Sequence, residues 1–196
     1  MSRAGSLGCA PGRTWVRAVL IALLLVLPGP GQAAELLRVK DAKTRLVDRT
    51  YVLDAQVEYA FSPEALEALG NGVPLTFLVH VQVRRADAWV WEDSLADLQL
   101  RYALRYLPLS ERYEVYRLPG EQGRAFVSRD AAIAALGEIR NLYLVDADRL
   151  DPERSYEVQI KVKLDVEELP LPLRPIAYLR PAWKLASPWS TWPLVP

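Results

Sequence analysis

Leu75–Arg85, LTFLVHVQVRR, decides the fold. Leu75, Phe77, Val79, Val81 and Val83 alternate with Thr76, Leu78, His80, Gln82 and Arg84, the period of two that puts one set on each face of a β-strand. The first set predicts a core face, the second a mostly solvated one. His80 is the only histidine in the chain, so any acid–base or metal chemistry would have to start on that second face.

The same period recurs on both sides. Within Thr50–Phe61, Tyr51, Leu53, Ala55, Val57 and Tyr59 alternate with Asp54, Gln56 and Glu58; Leu36–Val47 before it is weakly patterned, and Asp48-Arg49 between them reads as a hairpin turn. Ser62 predicts a helix N-cap with Pro63 and Glu64 in the first turn, and Gly70-Asn71-Gly72 predicts the helix end. After the Leu75 strand, Ala86-Asp87-Ala88 turns the chain into Trp89-Val90-Trp91. Leu98 to Arg117 reads as a hairpin. Ser128 caps a second helix that ends near Gly137, and Tyr156 to Leu164 alternates as the last long strand.

Seven to nine antiparallel strands joined by short turns, with two short helices, predict a mainly β protein. The expected architecture is an antiparallel β-sandwich, immunoglobulin-like in general plan, with a lipocalin-like barrel as the alternative. Too few helices are long enough to cross between parallel strands.

At the N-terminus, Arg3, Arg13 and Arg17 precede an uncharged run from Ala18 to Leu27, followed by Pro28-Gly29-Pro30-Gly31 and small residues up to Ala33. This is the pattern of a secretory signal peptide over residues 1–33, cleaved after Ala33 or Ala34. It predicts export to the periplasm. Cys9 lies before the apolar run, so the mature chain would have no cysteine for a disulfide or thiolate site. The whole chain balances 24 basic against 24 acidic residues; without the three arginines the count is 21 against 24, which is no nucleic-acid profile.

The organisation expected after the signal is a β domain over 34–166 and a Pro/Trp-rich tail over 167–196. Seven prolines fall between Pro170 and Pro196, with Trp183, Trp189 and Trp192 among them. Repeated Pro-x-Pro spacing argues against a central strand or an ordinary helix. The tail either covers a sheet edge or offers its tryptophans to a partner.

Leu171-Pro172-Leu173-Arg174, Trp183-Lys184-Leu185-Ala186-Ser187 and Trp189-Ser190-Thr191-Trp192 together resemble the closing pattern of a proteobacterial exported family catalogued as domain of unknown function 4390. The resemblance extends over Leu36 to Pro196 and is specific near the C-terminus. It implies an exported protein of Gram-negative bacteria whose relatives stand beside a membrane sensor histidine kinase. It brings no catalytic residue.

The chemistry visible in the chain is sparse. His80 has no second histidine or cysteine to complete a metal site. Asp146, Asp148, Asp151 and Glu153 lack the glycine of a calcium loop. Glu92, Asp93 and Asp97 follow two tryptophans and define the alternative reading, a small envelope hydrolase; a carrier of an apolar ligand is a further alternative. Trp89 and Trp91 share a strand face and read first as core, or as a stacking platform if exposed. Arg84, Arg101, Arg105, Lys161 and Lys163 lie on outward strand faces, either as one basic stripe or as scattered solubilising charges, depending on strand order.

The expectation is therefore a binding module without cofactor, catalytic residue or metal. Its contact candidates are Trp183, Trp189 and Trp192 first, the five cations second, then Trp89 and Trp91. Its expected partners are an envelope protein such as the sensor kinase, with peripheral contact to anionic lipid, and no nucleic acid.

Overall fold

Asp48 and Arg49 both adopt positive φ, 46° and 64°, which suits a two-residue connection whose twist matches the strands it joins. They link β1 (Leu37–Val47) to β2 (Thr50–Tyr59). The computed structural model describes residues 37–89, 94–120 and 122–194, all within the compact unit Glu35–Pro196. The expected signal segment lies outside the described residues, as do Trp91, Glu92 and Asp93.

The weak pattern of β1 has a local cause. Its register against β2 slips between Val39 and Asp41, so Lys40 forms a bulge and the buried positions run Leu37, Val39, Ala42. An extra residue inverts the faces of everything after it. On the other side of β2 lies β7 (Glu138–Asp146), giving a three-stranded antiparallel sheet of order β1-β2-β7.

The second sheet has six antiparallel strands: β3 (Leu75–Arg85), β4 (Ala96–Leu107), β5 (Arg112–Leu118), β6 (Gly123–Phe126), β8 (Tyr156–Leu164) and β9 (Ser190–Pro193), in the order β6-β5-β4-β3-β8-β9. β3 has three strands on one side and two on the other. Its core set, Leu75, Phe77, Val79, Val81 and Val83, is at most 1% exposed, and burying each such side chain stabilises by about 1.5–3 kcal/mol. The two sheets share one core, in which Phe77 takes the edges of Tyr59 and Phe61 at 4.9 and 5.6 Å.

Two sheets packed on a common core make a sandwich and not a closed barrel. The consecutive hairpins β3-β4-β5-β6 and the three-plus-six division depart from immunoglobulin strand order, so only the two-sheet plan is shared.

Helices α1 (Pro63–Gly70) and α2 (Arg129–Leu136) start where the caps predict. Ser62 Oγ accepts from Ala65 N at 3.2 Å and Ser128 Oγ from Ala131 N at 3.3 Å. After α2, Gly137 lets the chain pass against β2, where Val57 N donates to the Gly137 carbonyl at 2.9 Å.

The tail has neither a central strand nor a long helix, but it carries short elements. It holds a third helix, α3 (Arg174–Leu179), two 3-10 turns (Val166–Glu168 and Pro181–Trp183) and strand β9. Among the described residues three helices are present where two were expected. Pro175 sits in the first turn of α3, where a missing N–H breaks no helical bond. Leu169, Ala177, Trp183 and Leu185 are buried in the common core.

The tail also occupies the outer edge of β8. Leu164 N donates to Leu185 O at 2.8 Å, Ser187 N to Val162 O at 2.8 Å, and Val162 N to Ser187 Oγ at 2.9 Å. β9 continues the pairing, Val158 opposite Trp192 and Ile160 opposite Ser190. Edge donors and acceptors that would template a foreign strand are thereby used.

Candidate functional site

Strand order brings the outward faces of β4, β3 and β8 side by side. Leu78 lies opposite Arg101 and Lys163, His80 opposite Gln99 and Lys161, and Gln82 opposite Asp97 and Gln159. Arg84, Arg101, Arg105, Lys161 and Lys163 thus belong to one surface.

That surface is of mixed charge. Arg101 Nε meets Asp165 Oδ2 at 3.0 Å, and Arg105 Nη2 meets Glu114 Oε2 at 2.7 Å while lying over the Tyr116 ring at 5.3 Å. Arg84 donates to the Trp89 carbonyl at 2.7 Å. Such exposed pairs add about 0–1 kcal/mol each to stability, but they hold the arginines down along the sheet. Lys163 projects into solvent.

At the centre stands His80. Its Nε2 lies 2.8 Å from Asp97 Oδ1, and Gln82 Nε2 donates to Asp97 Oδ2 at 2.8 Å. Asp97 therefore orients both side chains. The tail adds Trp189, whose ring centroid lies 5.1 Å from that of His80 with the planes at 58°, and Lys161 Nζ is 5.7 Å from the indole centroid. Strands are spaced about 4.8 Å apart, so the indole, arriving beside β8, reaches across it to β3. Trp189 is 40% exposed, and the His80 and Asp97 side chains 23% and 43%.

An accessible indole next to a carboxylate, an amide, an imidazole and an ammonium group suits stacking and hydrogen bonding to a partner. Among the described residues, no group of three His, Cys, Asp or Glu side chains is placed to hold a metal ion.

The other tryptophans are placed differently. Trp183 is 5% exposed and packs in the core, so its side chain is not offered at the surface. Trp192 lies opposite Val158 and packs, partly buried, against the core. Trp89 is 74% exposed, which corrects the reading of it as core: β3 ends at Arg85, and no strand carries Trp89 inward. Trp91 lies outside the described residues, as do Glu92 and Asp93 of the acidic cluster; Asp97 is engaged by His80 and Gln82. The His80–Asp97 pairing escaped the sequence reading, although pairing the two alternating strands as a hairpin places both on one face.

A model of the family described as Domain of unknown function (DUF4390) matches residues 34–193. The chain belongs to the DUF4390 family. The match spans both sheets, the candidate face and the tail of this DUF4390 protein through β9. Comparison with curated proteins and with solved structures returns no match.

Proposed function

We propose that this DUF4390 protein is a non-catalytic binding module of the periplasm, delivered there by a cleaved signal segment and acting as an accessory to an envelope sensor kinase. The observation that carries the reading is the clustering of Trp189, His80, Asp97 and Lys161 on the open face of the large sheet. An aromatic side chain left partly exposed among oriented polar groups is what a protein-binding hot spot uses. The mixed charge of the face favours a folded partner domain over a uniformly anionic one.

The test is isothermal titration with the periplasmic domain of an envelope sensor kinase, the partner this reading proposes. Trp189→Ala combined with Trp192→Ala is expected to weaken binding at least about thirtyfold, since a hot-spot side chain accounts for ~2 kcal/mol or more; Trp189→Ala alone is expected to account for most of the loss. Unchanged affinity would remove this face as the site.

A further inference from the structure

Helix α3 and the turn before it turn their large apolar side chains outward. Within Arg174–Leu179 the buried residue is Ala177, 2% exposed, whereas Ile176, Tyr178 and Leu179 are 43%, 57% and 81% exposed. Leu171 in the preceding turn is 73% exposed. A single exposed leucine is ordinary, but four large apolar side chains close together in one segment mark an interaction surface.

The charge of the segment narrows the partner. From Glu167 to Pro196 the chain has three cations, Arg174, Arg180 and Lys184, against two carboxylates, Glu167 and Glu168, both of which precede the helix. Arg174 is held by Glu167 at 3.6 Å and by the Leu169 carbonyl at 2.8 Å, and Glu167 also accepts from the Tyr178 hydroxyl, so that carboxylate is engaged within the segment. Arg180 and Lys184 are exposed and form no ion pair among the described residues. Apolar and aromatic side chains flanked by cations match the interface of an anionic bilayer, where the chains enter the headgroup boundary and the cations meet phosphate.

A second copy of the chain fits less well. Docking α3 on itself would bring the Arg180 and Lys184 charges of two copies to one interface, where like charges oppose association. Helix α3 has six residues, far fewer than the roughly 20 needed to cross a bilayer, so a contact through it is peripheral. We infer that α3 is a membrane-contact wedge, with Leu171, Ile176, Tyr178 and Leu179 entering an anionic phospholipid surface and Arg180 and Lys184 holding its headgroups. Its residues are distinct from those of the Trp189 cluster.

The experiment uses the full chain carrying Cys9→Ser and Leu179→Cys, labelled at position 179 with an environment-sensitive fluorophore. With vesicles rich in phosphatidylglycerol the label is expected to shift to the blue, and with pure phosphatidylcholine vesicles to stay unshifted. Adding Arg180→Gln and Lys184→Gln is expected to weaken the response about tenfold or more, and salt to suppress it. The same label at Leu109→Cys, a fully exposed position between β4 and β5, is expected to remain unshifted, which separates insertion at α3 from attachment through the N-terminal segment. An unshifted label at 179 on vesicle-bound protein, or an equal shift with neutral vesicles, overturns the inference. So does a dimer in sedimentation equilibrium that Leu171→Ser with Ile176→Ser abolishes, because the patch would then belong to a second copy.

Discussion

The Trp189 ring rests 5.1 Å from the His80 ring, so the cluster on the outward face of the central strand includes the indole only when the tail is docked. The docking itself is done elsewhere. Trp183, six residues earlier, is buried with Leu185 in the core, while Ser187 bonds the edge of β8. One tryptophan anchors the tail and the other is left to present a surface.

Trp183→Ala is accordingly expected to destabilise the protein by about 3–5 kcal/mol, the cost of emptying a large core site. Trp189→Ala is expected to change stability by less than about 1 kcal/mol, as for an exposed position. Urea unfolding of the two variants checks this; equal losses would mean that Trp189 is also an anchor.

Gly137 sits where a Cβ would meet the Val57 carbonyl oxygen at 2.1 Å. The obstacle is backbone, so no side-chain rotation relieves it. Gly137→Ala is expected to push α2 and β7 away from β2 and to cost about 1–3 kcal/mol, seen as a lower urea midpoint with an unchanged slope. A midpoint equal to that of the parent would show that β2 yields freely there.

Asp54 faces the bulge in β7, where Asn141 has a φ of 49°. Its carboxylate accepts from Asn141 N at 2.8 Å and from Arg45 Nε at 3.0 Å, and Arg45 also bonds the Asn141 side chain. The Asn141 N–H first, and Arg45 after it, hold the carboxyl below its ordinary value of 3.8, against a partial desolvation that opposes them. The folded state therefore binds this proton less readily than the unfolded chain. The stabilisation is complete above pH 3.8 and is lost as the pH falls through the lower folded value. Asp54→Asn is expected to be less stable than the parent at neutral pH and to show a shallower acid limb when urea midpoints are followed downward in pH. Parallel acid limbs would exclude Asp54 as a source of the acid dependence.

Much of the sandwich is legible from local pattern. β3 reads correctly because five core residues repeat at the strand period without interruption, and α1 and α2 begin at Ser62 and Ser128 because each cap is a bond across three residues. β1 reads poorly because the Lys40 bulge changes its phase part-way. The short elements of the tail are not legible for a different reason: its prolines argue against a long helix or a central strand but do not say where Pro175 fits a first turn and Pro193 an edge strand.

Alternation, caps and turns are decided within a few residues, and so the chain carries them in its own order: two-faced strands, short helices and a hairpin at Asp48-Arg49. Which strands lie beside one another is decided by pairings between distant segments. β3 between β4 and β8, Asp97 brought to His80, and Trp183 buried while Trp189 stays accessible all depend on register and on competition for one core. Local periodicity says which face a residue occupies, and long-range packing selects what that face meets.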